Sequence, residues 1–524
     1  MKTSWRTYFV VLLAALLVCQ PQAVLAAGVP PPEPTPDVRF GAVEAWMEPA
    51  AAAAVRVGWD RLLIDWYKYQ PDAPEEWVPS ADDDARVNTA LAAGREMVLL
   101  LRGTPAWATD GPERASPPRG LHFPVAANSN LWANFVRRVL KHYKGRVSRY
   151  IIWNEPDIAV GDGGAQFNGS IEEYYRMVKI AWLVARQEDP QARIHLAGLT
   201  YWHDAVNGRS PFLQRYLAVA AADASARANN FYFDAATLHI YFRPQSVFDI
   251  ITMHREFLAG YGLTQPIWLN ETNAAPFDDP LLPWPNPFVY VTMQQQGAFV
   301  IQAFALALAA GAERAAVYKF AEVSGSLPGF DYYGLYRTDM TARPAVESLR
   351  AVTTHFAGVR TTSFVAWPTY YIVRLDRGTL VTRVLWARGP QPVSLRLLPT
   401  AGAGKAVLYD QFGVRRMQLL ADREGTYKLA LPGADCSRPR TDCVVGGAPF
   451  LLVEEMRRTP AAAGKPGASL TPANGQLLSS VKRAAHAAPP PLRTPQRAAH
   501  GRLLARHPLH LTAGAQSGRL ARSR

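Results

Sequence analysis

A chain of 524 residues, 49% hydrophobic and 11% aromatic, is long enough to bury one large core and a second, smaller one. The formal net charge of +13 is unevenly spread: positions 457–524 hold twelve Lys or Arg and no Asp or Glu, and Lys2 and Arg6 add two more cations at the other end. The body between is close to neutral, which excludes a nucleic-acid partner for it.

The first 27 residues read as an export signal, not as structure. Lys2 and Arg6 form a basic region, 8–18 is apolar, and small residues at 24–27 offer cleavage after Ala26 or Ala27. The apolar run is shorter than the ~20 residues of a membrane-spanning helix, so an uncleaved anchor is the weaker alternative. Cys19 follows Val18, which is too large for the usual lipid-attachment signal. No other stretch is long and apolar enough to cross a bilayer, and the expected destination is extracellular, periplasmic or at the cell surface. Only Cys436 and Cys443 remain after cleavage; in an exported chain they are expected to close a loop as a structural disulfide, with free thiols or a metal site as alternatives.

A proline-rich linker, 28–37, leads into alternating units. Strand patterns fall at 38–43, 61–66, 97–101, 150–153, 194–199, 235–240, 266–270 and 315–320. Helical patterns fall at 49–57, 83–93, 131–143, 171–187, 212–222, 247–259, 291–310 and 343–356. Eight strands, each followed by a helix, predict an α/β fold of the (β/α)8 TIM barrel type over 38–359. A doubly wound open sheet fits less well because no Gly-rich phosphate loop follows the first strand. From 360 to 456 the pattern shifts to short alternating runs at 370–374, 380–386, 393–398, 406–409, 426–431 and 450–454, which predict a C-terminal β-sandwich. That module is expected to shield the barrel flank, with sugar binding as the alternative. The acid-free tail, 457–524, is expected to be disordered. Weak adhesion to anionic polymers is the functional alternative to a tail that is simply solvated.

The fourth strand ends in Trp153-Asn154-Glu155-Pro156 and the seventh in Leu269-Asn270-Glu271-Thr272. Proline cannot continue a ladder, so Glu155 falls where its strand stops, at the end of a barrel where chemistry is placed. Taken singly, each glutamate could be a helix cap or an ion-pair partner. Together, at matching strand ends 116 residues apart, they suit glycoside hydrolysis, in which one carboxyl protonates the leaving oxygen and the other attacks carbon or activates water.

These two motifs, with Leu238-His239-Ile240-Tyr241 between them, make 38–359 resemble a clan A glycoside hydrolase, most similar to families 39 and 5. The resemblance implies Glu155 as acid/base, Glu271 as nucleophile, Asn154 as donor to the sugar 2-hydroxyl and Tyr241 as donor to the nucleophile. It implies retention of configuration on a carbohydrate substrate, with carboxyl groups roughly 5 to 5.5 Å apart and with neither metal nor cofactor. His239 is expected to position its neighbours. Trp107, Trp202 and Trp284 could stack on sugar faces or simply plug loops onto the barrel. Two departures stand out. Clan A barrels commonly carry a Trp at the end of strand eight, where this chain has Tyr318-Lys319-Phe320, and Arg102 is the candidate for the arginine often found near the catalytic pair. A catalytically silent sugar-binding barrel and a transglycosylase with the same two glutamates remain alternatives.

Overall fold

The computed structural model describes residues 35–284, 287, 289–323, 332–436 and 443–457. The expected export signal, most of the linker and the basic tail after residue 457 lie outside these. Among the described residues, no helix is long and apolar enough to cross a membrane.

Eight parallel strands close into a barrel: β1 (Phe40–Ala42), β2 (Trp59–Asp65), β3 (Glu96–Arg102), β4 (Arg149–Ile152), β5 (Arg193–Leu199), β6 (Ala235–His239), β7 (Ile267–Thr272) and β8 (Arg314–Val317). Closure is made by β1 on β8, with Phe40 opposite Ala315 and Ala42 opposite Val317. The strands are nearly continuous apolar runs because helices cover them outside and side chains fill them inside. The interior packs Val43, Trp59, Val98, Leu100, Ile151, Ala235, Trp268 and Ala316. Trp59 and Trp268 meet at 5.2 Å between ring centroids, and the Trp59 ring lies where a Cβ on Gly41 would be, 2.4 Å away. Burial holds the His195 imidazole, edge-on to Trp268, well below its ordinary pKa.

Helix limits follow local chemistry. The helices Leu131–Tyr143 and Phe212–Ala222 lie where their periodicity predicts. Met293–Ala309 starts two residues later than its apolar pattern because Thr292 forms a capping box with Gln295. Pro244–Gly260 starts three residues earlier than its pattern, since Pro244 is suited to the first turn. At the strand ends, β8 stops at Val317 instead of 320. Beyond it, Tyr318 N–H donates to Thr272 O at the end of β7 and Phe320 N–H to Val43 O just past β1, the two strands that flank β8.

The C-terminal part is antiparallel. Its strands are β9 (Thr361–Ala366), β10 (Tyr370–Asp376), β11 (Leu380–Ala387), β12 (Val393–Leu397), β13 (Ala403–Tyr409), β14 (Arg415–Leu419), β15 (Tyr427–Leu431) and β16 (Phe450–Met456). Six form a sheet in the order β14-β13-β16-β11-β10-β9, and β12 pairs with β15. Leu385, Leu395, Leu408, Leu429 and Leu452 fill the space enclosed. Two of these strands are absent from the sequence pattern. β14 is exposed over four of its five residues, three of them polar, and β9 is exposed or half-buried throughout, so neither alternates cleanly. Backbone pairing to β13 and β10 makes them strands.

Helix Met293–Ala309 is buried from Gln296 to Leu308 and largely apolar there, because it is covered on all sides over that stretch. The barrel lies on one side. On the other, Gln302 donates to the Gly447 carbonyl at 2.9 Å, and the Phe412 ring sits over Gly297. Val373, Leu375, Trp386 and Leu451 of the sheet share one continuous core with the barrel helices. Cys436 and Cys443 are joined as a disulfide, with Cα atoms 4.6 Å apart.

Candidate active site

The mouth of the barrel is built from strand ends. After β4 the chain leaves the ladder abruptly, with Trp153 at φ 71° and Glu155 at φ 46°. A left-handed non-glycine residue costs on the order of 1–3 kcal/mol and persists only where its surroundings over-determine it. Here they do: Trp153 N–H donates to Leu101 O at 2.9 Å and Glu155 N–H to Gly198 O at 3.2 Å, so the turn is stitched to both neighbouring strands. Asp157 then ties β4 to the loop after β5, accepting from Thr200 N–H, Thr200 Oγ1 and Tyr201 N–H at 2.7, 2.9 and 3.1 Å. Burial, with the negative charge of Glu155, pushes the Asp157 carboxyl up to about 7.

The structure brings Glu155, His239, Tyr241 and Glu271 together. One carboxylate oxygen of each glutamate and a ring nitrogen of His239 lie within 4.8 Å of one another. His239 Nδ1 is 2.7 Å from Glu155 Oε1 and 3.5 Å from Glu271 Oε2, and the Tyr241 hydroxyl donates to Glu271 Oε2. Arg61 Nη2 donates to Glu271 Oε1 at 2.5 Å, and Arg61 Nη1 is 3.5 Å from His239 Nε2. The two carboxyl groups therefore stand in different surroundings. Burial alone would raise Glu271, but His239 and Arg61 beside it, with the hydrogen bonds from Tyr241 and Arg61, hold it below its ordinary value. Burial and the Glu271 charge hold the Tyr241 hydroxyl well above its ordinary value, so it stays a donor.

His239 fits only because of Gly198 on the adjacent strand: a Cβ there would lie 1.9 Å from His239 Nε2. We expect Gly198→Ala to displace the imidazole and lower kcat/KM by about 10²-fold, the size of effect that a displacement near 1 Å produces in a catalytic group. Steady-state kinetics alongside a thermal melt checks this, and an unchanged kcat/KM in a folded variant would remove His239 from the machinery.

Arg61 is the functional residue that the sequence pattern conceals. It lies inside Arg61-Leu62-Leu63-Ile64-Asp65 on β2, a run that reads as a plain buried strand. Arg102, the arginine expected near the pair, instead donates to Asp65 Oδ1 at 2.9 Å and to Gln166 Oε1 at 3.3 Å. Asn154, expected to donate to a sugar hydroxyl, gives one Nδ2 hydrogen to Gln166 Oε1 at 3.0 Å, and its Oδ1 is buried without a hydrogen-bond partner.

The three tryptophans differ. Trp107 donates its indole N–H to Gln70 O at 2.8 Å and packs edge-on against Trp66, holding its loop to the barrel. Trp202 is 40% exposed beside Tyr201. Trp284 is buried in a cluster with Ala275, Tyr332 and Tyr333, against which Tyr241 and Tyr318 pack. Tyr318, at the position where a Trp is common in clan A, sits 6.1 Å from the Tyr241 ring and 6.0 Å from Tyr333. This aromatic wall is anchored from behind by buried ion pairs. Arg337 and Arg343 both donate to Asp279, and Arg343 also donates to Glu322 at 2.9 Å. Burial raises the Asp279 carboxyl, but the two guanidinium groups outweigh it and hold it below 3.8. Its contribution to stability is therefore present above that unfolded value and is lost as pH falls through the folded one. We expect Asp279→Asn to destabilise the fold by about 2–3 kcal/mol at neutral pH, since each hydrogen bond to a charged group is worth about 1.5–3. Urea melts at pH 7 and at low pH check both parts: the deficit should shrink on acidification.

Glu155, His239 and Glu271 offer three atoms that could approach a cation. Both Glu271 oxygens are already taken by Arg61 and Tyr241, and a guanidinium in contact disfavours a metal ion there. The donor set suits a neutral, many-hydroxyl ligand better.

No family model matches the sequence, and no curated protein matches it. Solved structures do match the fold. One is a family 39 glycoside hydrolase from the gut symbiont Bacteroides cellulosilyticus WH2, 15% identical with a TM-score of 0.59, covering 80% of this chain and 81% of that one. Another is a monomeric β-xylosidase from Caulobacter crescentus CB15, 13% identical with a TM-score of 0.54, covering 80% and 96%. A third is a GH30 endoxylanase from Clostridium papyrosolvens C71, 13% identical with a TM-score of 0.52, covering 80% and 97%. The likeness to these glycoside hydrolases is one of fold, over 80% of this chain.

Proposed function

We propose that this protein is an exported, retaining β-glycoside hydrolase acting on oligosaccharide or polysaccharide. The observation that carries the reading is the pair of unlike carboxyl groups at the barrel mouth, an oxygen of each lying within 4.8 Å of the other. So close an approach supports direct attack by one of them, because an inverting pair stands roughly 6.5–9.5 Å apart to admit a water. Glu271, kept ionised by Arg61 and Tyr241, attacks the anomeric carbon. Glu155, held by His239 and a neutral amide, gives its proton to the leaving oxygen, and a covalent glycosyl-enzyme forms. Glu155 then takes a proton from water, which releases the sugar with its original configuration. Asn154, which gives one Nδ2 hydrogen to Gln166, keeps a second to donate to a sugar hydroxyl, and Trp202, 40% exposed, is available to stack on a sugar face.

Export is supported by the basic and apolar amino-terminal pattern and by the Cys436–Cys443 disulfide, a bond favoured in oxidising compartments. β-Xylosides are the first substrates to try, because the structural neighbours include a β-xylosidase and an endoxylanase. The test follows product stereochemistry by proton NMR during hydrolysis of aryl β-glycosides and xylo-oligosaccharides. Initial release of the β-anomer, with a 2-fluoro sugar trapped on Glu271 in peptide mass spectra, is the expected result. Initial α-anomer would overturn retention. Sugar binding without turnover would favour a silent barrel, and predominant transfer to sugar acceptors a transglycosylase.

A further inference from the structure

The loop between β4 and the helix Ile171–Glu188 runs outward and returns, turning at Gly161, Gly163 and Gly164, each at positive φ. Its return is pinned at Gln166 and Phe167. The Trp153 indole donates to Gln166 O at 2.9 Å, and the buried Phe167 ring packs edge-on against Trp153 at 5.4 Å and Tyr174 at 6.0 Å. The backbone of Gln166 is thus fixed by the same residues that end β4.

Its side chain reaches three groups. Oε1 accepts from Asn154 Nδ2 at 3.0 Å and from Arg102 Nη1 at 3.3 Å, and Nε2 donates to Glu155 Oε2 at 3.0 Å. The amide has one chemically sensible orientation. Arg102 can only donate, so the atom facing it is the oxygen, and the NH2 must face Glu155. Arg102 is itself held, by Asp65 through Nε, and Asp65 also pairs with Lys68 at 2.8 Å. Together with His239 on Oε1, the amide determines the plane of the Glu155 carboxyl.

We propose that Gln166 is a positioning residue for the acid/base, coupling the orientation of the Glu155 carboxyl to Asn154 and Arg102. A sugar hydroxyl seated on Asn154 then steadies the amide that aims the proton. The proposal rests on the glycosidase reading above and names a residue outside the strand-end motifs. Acid assistance matters most when the leaving group is poor, which gives Gln166 a kinetic signature that a merely structural side chain lacks.

The test compares wild type, Gln166→Met and Arg102→Met, as full chains, on phenyl and 2,4-dinitrophenyl β-glycosides of the sugar that wild type turns over. For Gln166→Met we expect kcat/KM to fall about 10²-fold on the phenyl glycoside, the lower end of what general acid catalysis contributes, and less than about threefold on the dinitrophenyl glycoside. The basic limb of its pH profile should move to higher pH, because a hydrogen bond donated to a carboxylate favours the ionised form. Arg102→Met, which frees the amide without removing it, should change both readouts in the same direction by less, and it carries the test if Gln166→Met does not fold. Equal losses on the two aglycones, or an unmoved profile, would overturn the proposal while leaving the glycosidase reading in place. A wild type that turns over no glycoside would overturn both.

Discussion

Glu271→Gln is expected to lower kcat/KM by about four orders of magnitude or more, the scale seen when a nucleophile is removed from a catalytic set that acts as a unit. Glutamine keeps the shape, but its one carbonyl oxygen can accept from Arg61 or from Tyr241 and not from both, and the buried Arg61 cation loses its counter-ion, so the thermal melt should fall as well. What it lacks is the negative charge needed to bond to the anomeric carbon. The loss should therefore be similar for good and poor leaving groups, and the 2-fluoro sugar adduct should be absent. A folded variant that keeps a tenth of wild-type turnover would mean that another group, or water alone, attacks the sugar.

Arg61→Met should damage both stability and pH dependence. The guanidinium and the Glu271 carboxylate are 5% and 7% exposed and are paired at 2.5 Å. Removing one member of a buried pair strands the other and costs about 3–5 kcal/mol. The sign of the pH effect follows from the cause. Arg61 is among the groups that hold Glu271 below its ordinary 4.5, so without it the carboxyl keeps its proton to higher pH. The nucleophile must be ionised, and the acidic limb of kcat/KM should move upward. At the optimum, loss of this donor should lower kcat/KM by about 10²–10³-fold, as for other preorganised donors in catalytic sites. Stability should respond in a linked way. In wild type the favourable contribution of Glu271 is present above 4.5 and is lost as pH falls through its folded value, and in the variant this acid-side loss should shrink. An acidic limb that stays in place would mean that Tyr241 and His239 suffice to keep Glu271 charged.

The two glutamates show how far a sequence reaches. Each follows an apolar, β-branched or aromatic run and an Asn, and Pro156 stops the first run outright, a contrast visible one residue at a time. Short, nearly continuous apolar runs and recurrence at 3.6 likewise mark the barrel strands and their helices, because both signals arise within each segment. Gln166 gives no such signal. It stands among glycines and small polar residues, and its significance comes from an amide meeting three side chains drawn from β3 and the end of β4. The strands β9 and β14 were illegible for a related reason: their surfaces are mostly exposed, so no hydrophobic pattern records the pairing that forms them.

What the sequence determined by itself is the repeating strand–helix order, the change to a β-rich C-terminal part, and the two carboxylates at strand ends. What only the tertiary structure decided is which side chains face those carboxylates. Arg61 and Leu62 are adjacent in the chain, yet Arg61 points into the barrel against Glu271 and Leu62 into the layer under the helices. That choice is set by strand register, and register is fixed only when all eight strands close, with β1 on β8. Closure also brings positions 155 and 271 within bonding reach of one histidine, for which Gly198 on a third strand leaves the space. Local periodicity cannot encode such a meeting, since it depends on distances across the barrel and not along the chain.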